Sequence, residues 1–278
     1  MTAMERTKQA LANSGNGDTM TVSKLFCQDS IKMRFQELLG QKSAGFISSV
    51  ISIVNSNTSL KGVNPQTVLS AAVIAATLDL PVNQSLGFAY IVPYKGQAQF
   101  QLGYKGFVQL AIRTGQYKTI NATEVFEGEI VSVNRLTGRI ELDETARKSE
   151  KIVGYAAYFE LINGFEKTLF MTTEQIMKHA ERYSQSYVKD YSPWKSNFPE
   201  MALKTVLKRL LSKYGIMSIQ MQTAMQTDQA VVLDASPTAI VTEYPDNETE
   251  KPIASETNPE TPPAEPQAKP MREPGEEG

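Results

Sequence analysis

Apolar positions along the chain change their spacing several times, and each change marks an element. From Ser30 to Val54 they fall at helical spacing, with Ile31, Phe35, Leu38 and Leu39 on one arc. The pattern predicts a helix that Gly40 and Gly45 divide. Asn64-Pro65 supplies a helix start, with Asn as the cap and Pro at the first helical position. The LSAAVIAATL that follows is apolar nearly all round, which predicts a buried helix. Beyond Pro81 the spacing shortens. Gly87 to Pro93 reads as a strand, Lys95-Gly96 as a turn and Gln97 to Leu102 as the returning partner. Tyr104 to Thr114 resumes helical spacing through Phe107, Val108, Ala111 and Ile112, and Gly115 stops it.

Strands are predicted to dominate from Lys118 to Met171, with hairpin turns at Thr137-Gly138 and Asn163-Gly164. Val153, Tyr155, Ala157, Phe159 and Leu161 alternate, giving that strand one apolar face. Thr172-x-x-Gln175 has the form of a capping box and opens a short helix. An aromatic-rich loop follows, and Pro199 starts a last strong helix that Gly215 closes after Tyr214. Its apolar arc is Leu203, Val206, Leu207, Leu210, Leu211 and Tyr214. The predicted class is α+β: a central antiparallel sheet with hairpins, backed by helices.

Composition changes this picture at the ends. Ala235 to Gly278 holds ten acidic and three basic residues and nine of the fourteen prolines. That is a net of −7 out of −2 for the whole chain, which leaves +5 for residues 1–234. Few large apolar residues, many prolines and net negative charge predict a disordered tail over 235–278. Residues 1–29, polar and broken by Gly15 and Gly17, are expected to be a flexible segment open to subunit contacts, which leaves 30–234 as the core. The apolar run from Leu69 to Leu78 is too short to span a bilayer, and MTAMERTKQA lacks the apolar stretch of a secretory signal. With Cys27 alone, no internal disulfide forms. The expectation is a cytoplasmic protein without membrane contact.

Leu80 to Thr123 carries Lys95, Lys105, Arg113 and Lys118 and not one Asp or Glu. Interleaved are Tyr90, Tyr94, Phe100, Tyr104, Phe107 and Tyr117. Cations that track phosphates and flat rings that stack on bases are what single-stranded nucleic acid requires. Lys178 to Lys213 adds a second basic segment, including Arg182, Lys189, Lys195, Lys204, Lys208 and Arg209, preceded or accompanied by Tyr183, Tyr187, Tyr191 and Trp194. Each segment also reads as ordinary structure, with the rings in the core and the cations on solvated faces. Two such segments above an acidic tail favour a binding groove. The candidate DNA-binding residues are Lys95, Tyr104, Lys105, Arg113, Lys118, Arg182, Tyr187, Trp194, Lys195, Lys204, Lys208 and Arg209. Removing charge at Lys204 with Lys208, or at Lys105 with Arg113, is expected to weaken binding.

LDLPVNQSLGFAYIVPYKGQAQFQLGYKGFVQLAIRTGQYKTINATEV resembles the central signature of the RecT branch of the RecT/Red-beta single-strand annealing proteins. The match includes Leu78, Leu80 and Pro81, the YIVPY hairpin, Tyr104 to Gly106 and Arg113 to Gly115. The later YSPW and the basic helix after Pro199 extend it over approximately 30–220. The resemblance implies a core like that of the Rad-type annealing proteins. It also implies ATP-independent annealing of single-stranded DNA through an annealed duplex intermediate. The implied assembly is a homo-oligomeric ring or helical filament, acting in phage-type recombination inside a bacterial host cell. A partner exonuclease and the host single-strand-binding protein are the implied partners.

Enzyme readings find little support. No GxxxxGK[ST] loop exists, and the one histidine, His179, has no cysteine cluster beside it. Glu141, Asp143, Glu144 and Glu150 could be a nuclease's metal ligands, but they sit in a charge-mixed run with Arg147, Lys148 and Lys151. No catalytic residue, metal or cofactor is expected. A protein that coats single strands without annealing them, or a metal-dependent nuclease, remains the alternative.

Overall fold

The computed structural model describes residues 20–184, 187–188, 192–235 and 240–243. All of them fall within the first of two compact units, which ends at Asp246. The architecture is α+β. Among the described residues five α-helices lead: α1 (Val22–Phe26), α2 (Asp29–Leu39), α3 (Ser43–Ser56), α4 (Thr58–Lys61) and α5 (Pro65–Thr77). A hairpin of β1 (Ala89–Tyr94) and β2 (Gln97–Leu102) follows, then α6 (Tyr104–Ile112). The central sheet is three-stranded and antiparallel, in the order β3 (Tyr117–Phe126), β6 (Ile152–Leu161), β7 (Glu166–Thr172). Between β3 and β6 the chain makes a separate hairpin, β4 (Ile130–Val133) with β5 (Ile140–Leu142). Helices α7 (Thr173–Tyr183), α8 (Pro193–Ser196), α9 (Phe198–Tyr214) and α10 (Ile219–Thr227) come next, and β8 (Val231–Ala235) pairs with β9 (Ile240–Glu243).

Helix α5 starts where expected: Pro65 occupies the first turn, and the Asn64 side chain accepts the Gln66 N–H. Thr67 to Ala76 are all buried. A helix apolar on every side needs neighbours on every side. It has them in α1 and α2 on one flank and β1, β2 and β8 on another. The second half of the body is α9 laid on β3, β6 and β7. In the sheet, Ala157 lies between Ala122 on β3 and Leu169 on β7, and Phe159 is opposite Ile120. Val206, Leu207, Leu210 and Leu211 of α9 meet that apolar side in one continuous core. Among the described residues no helix is long and apolar enough to cross a membrane.

One internal charge cluster joins the halves. Asp228, at the end of α10, is fully buried. Its Oδ1 accepts the Leu102 N–H of β2 at 2.9 Å, and Lys208 Nζ approaches Oδ2 at 2.5 Å. Lys204 Nζ stands 3.7 Å from Oδ1, with its side chain only 12 % exposed. Burial pushes the Asp228 carboxyl up, but the two ammonium charges outweigh it and hold the group below the usual carboxylate range. Burial likewise draws Lys204 down, partly offset by Asp228.

Several expectations need revision. Gly45 does not divide a helix; it lies inside α3, and the break falls at Gly40, whose φ of +56° suits glycine. The ordered body begins before Ser30, since Val22, Leu25 and Phe26 of α1 are buried, and Phe26 stacks on Phe35 at 5.6 Å. The helix after Pro199 is not the last. Met221, Ala224 and Thr227 make the buried side of α10, a stripe too weakly apolar to stand out among glutamines. Of the tail expected over 235–278, Ala235 and Ile240–Glu243 are in strands, and the rest lies outside the described residues.

Breaking a buried ion pair from one side leaves the other charge without compensation, at about 3–5 kcal/mol. Asp228→Asn is therefore expected to lower unfolding stability by about that amount in urea titrations. Lys118→Ala, which removes only the exposed 2.8 Å pair with Glu160, should cost under about 1 kcal/mol.

Candidate nucleic-acid interface

Two glycines build the most site-like place on the body. Gly103 is the N-cap of α6, and its N–H donates to the Phe88 carbonyl at 2.8 Å. A side chain at Gly103 would overlap the Gly87 carbonyl, and one at Gly106 would overlap the Phe88 carbonyl. The LGYKG sequence thus presses the first turn of α6 against the base of the β1–β2 hairpin. No side chain caps this helix, and its first turn carries no acid. First-turn amides have no intrahelical acceptor, so such an end attracts anions.

Charge and rings converge there. The exposed Lys105 side chain and the Tyr90 hydroxyl both come within 3.6 Å of the position a Gly87 Cβ would take. Tyr90 leaves β1 opposite Gln101, and Tyr94 leaves the same face opposite Gln97. Tyr104 is half-buried, with its hydroxyl beside the backbone of Ala122 on β3. Burial first, and the Glu200 charge second, push both the Tyr90 and Tyr104 phenols up, so both rings stay neutral at ordinary pH. A neutral ring, an ammonium without an ion pair among the described residues and an uncapped helix end are complementary to a base and its phosphate.

The other candidate residues lie elsewhere, and several have internal partners. Lys204 and Lys208 belong to the Asp228 cluster. Arg113 caps the end of α5: its guanidinium donates to the Leu78 and Asp79 carbonyls at 2.6 and 2.7 Å, and Lys42 joins at the Asp79 carboxylate. Substituting Lys204 with Lys208, or Lys105 with Arg113, would therefore break the fold's own contacts together with any DNA contact. Trp194 is buried, with its indole N–H on the Ser184 hydroxyl and its ring against Tyr187 and Phe198. Its aromatic surface is spent on packing, and Tyr187 sits edge-on to it at 6.0 Å. Lys118 pairs with Glu160. Lys95 is exposed at the hairpin turn, 5.2 Å from the Tyr94 ring, and Lys195 is exposed on α8.

A second cluster lies where α7 meets α9. Exposed Arg182 stands over the Tyr183 ring at 5.3 Å, and the His179 ring lies 4.7 Å from the same ring. Arg209 is exposed on α9 and acts electrostatically on His179. The His179 Nδ1 is buried without a hydrogen-bond partner. Burial, then the charges of Arg209 and Lys208, bring this imidazole down to about 4. Among the described residues no group of three or more His, Cys, Asp or Glu could hold a metal ion. Asp143 instead accepts from the amide and hydroxyl of Thr145, Glu150 pairs with Arg147, and Glu141 accepts from Ser132.

Tyr90 is one of the interleaved rings of the first basic segment but not one of the candidate DNA-binding residues, and neither Glu200 nor Asp228 is a candidate. Tyr90 was visible as an alternating aromatic in the hairpin. Nothing local marks Asp228, because its partners are far away in sequence.

Because His179 is neutral when folded and has an ordinary value near 6.5 when unfolded, the unfolded chain binds more protons below that pH. Its contribution to stability is present above about pH 6.5 and is lost as pH falls toward 4. The urea midpoint should therefore fall between pH 7 and 5.5 in the wild type and stay nearly flat in His179→Gln. An equal fall in both would contradict this, since no other histidine is present.

Known proteins resemble this chain over most of its length. The profile of the RecT family matches residues 44–249. The chain is 48 % identical over 247 residues to the Uncharacterized protein YqaK of Bacillus subtilis (strain 168), covering 86 % of each. It is 30 % identical over 178 residues to Protein RecT of Escherichia coli (strain K12), covering 61 % of this chain and 65 % of that protein. The chain belongs to the RecT family of single-strand annealing recombination proteins.

Proposed function

We propose that this protein pairs complementary single DNA strands without ATP, and that each subunit holds its strand at the start of α6. The observation that carries the reading is the uncapped α6 N-terminus with Lys105, Tyr90 and Tyr104 gathered around it. Phosphate would meet the helix end and the Lys105 ammonium, and bases would lie against the tyrosines. Stacking is worth about 1–3 kcal/mol per base, and each phosphate neutralised adds about 0.7 to the salt slope on single strands.

Annealing by this route needs no bond chemistry. Neutralising the phosphates removes the repulsion between two strands, and exposed base edges let complementarity select the partner. The duplex is the more stable product, so no nucleotide need be hydrolysed. The secondary basic cluster of Arg182, Tyr183 and Arg209 would extend the track, and neighbouring copies in a ring or filament would make it continuous. On this reading the strands are supplied by a partner exonuclease in a prophage setting in the bacterial cytoplasm. The acidic, proline-rich sequence after residue 243 would serve recruitment of partners such as the host single-strand-binding protein.

Two complementary labelled oligonucleotides, mixed at low salt without ATP or magnesium, test this. The protein should accelerate pairing severalfold or more, and Lys105→Gln should weaken single-strand affinity and lower the salt slope by about 0.7 per subunit contact. Tight binding with no acceleration would indicate a coating protein, and strand cleavage on adding magnesium would indicate a nuclease.

A further inference from the structure

An acidic residue stands at the candidate strand site, and among the described residues no ion pair holds it there. Glu200 lies in the first turn of α9, exposed. Helix α9 packs against α6, whose first residue is Tyr104. One turn on from Glu200, Lys204 reaches the Asp228 carboxylate, which takes the Leu102 N–H two residues before Tyr104. The first turns of α9 thus run beside the start of α6, and the Glu200 charge acts on both the Tyr90 and the Tyr104 hydroxyls. Its natural partner one turn on would be Lys204, since Glu followed by Lys at i+4 is a favourable pair. Lys204 is drawn inward to Asp228 instead. Among the described residues Glu200 has no salt bridge, and Lys105 has none either.

The position has a bland explanation, because an acid in the first turn favours the α9 dipole by about 0.3–1 kcal/mol. That accounts for an acid somewhere in the turn. It does not account for one whose charge reaches two rings of a site otherwise built for anions. We propose that Glu200 sets the strength of the single-strand site: its carboxylate repels the incoming phosphate and keeps strand release fast. The proposal rests on the strand-holding role of the α6 N-terminus given above. Annealing needs such a limit, because a strand paired out of register must be let go before the correct partner is found.

A carboxylate and a phosphate several ångströms apart at the surface repel enough to change affinity by roughly three- to tenfold at low salt. The test uses the full chain and a fluorescein-labelled oligonucleotide, read by anisotropy and by stopped-flow dissociation from 50 to about 300 mM salt. Glu200→Gln is expected to bind roughly three- to tenfold tighter and to dissociate correspondingly more slowly, with the gap narrowing as salt rises. Glu200→Lys should extend the same trend. Glu37→Gln, which removes one charge from an exposed position on α2, should match the wild type and so report any effect of net charge alone. Urea midpoints of the variants separate loss of fold from loss of repulsion. Wild-type binding with Glu200→Gln equal to or weaker than wild type overturns this proposal and leaves the reading of the site intact. Absence of salt-sensitive single-strand binding by the wild type overturns the reading itself.

Discussion

The buried Asp228 carboxylate is the contact on which the arrangement of the two halves depends. It takes the Leu102 amide at the end of the β1–β2 hairpin and the ammonium groups of Lys204 and Lys208 on α9. The hairpin belongs to the layer around α5, whereas α9 belongs to the three-stranded sheet. A charge with no exposure needs close, opposite partners, because solvent gives it no compensation. Asp228 therefore fixes how the hairpin and α9 meet. It does so beside α6, which follows Leu102 after a single glycine. The adjoining Gln229 N–H donates to the Phe100 carbonyl, and Val231 and Val232 continue into the core, so the chain beyond α10 is part of the same clamp.

With that geometry held, small residues decide where function can sit. Gly103 and Gly106 let α6 begin against the Gly87–Phe88 backbone, closer than any side chain would permit. The helix end is left without a side-chain cap, Lys105 has no ion pair among the described residues, and Tyr90 and Tyr104 are left half-exposed beside them. The lysines of α9 that look most like phosphate ligands in sequence are consumed below the surface. Positive charge at the site is thus sparse, and a single acid such as Glu200 weighs heavily on it.

Much of the fold was legible because local rules and tertiary demands coincide. Asn64-Pro65, the Lys95-Gly96 turn with its positive φ values, and the Thr172–Gln175 capping box all occur as their residues predict. α10 escaped because Met221, Ala224 and Thr227 give little contrast with their neighbours. The site was legible only in part. A basic residue reads the same in sequence whether its partner is a phosphate or a distant carboxylate. Lys204 and Arg113 look like Lys105 on the page, yet they end on Asp228 and on the last carbonyls of α5. Trp194 shows the same ambiguity for rings, since its place between Tyr187 and Phe198 is set by long-range packing.

On the proposed reading, the single strand lies across the start of α6, against Tyr90 and Tyr104. Photocrosslinking with an oligonucleotide carrying iodouracil at successive positions, followed by mass spectrometry of the adducts, locates the strand directly. Adducts are expected on Tyr90 or Tyr104 and should disappear with excess unlabelled strand. Adducts confined to other parts of the chain, with none in the segment from Gly87 to Lys105, would contradict it.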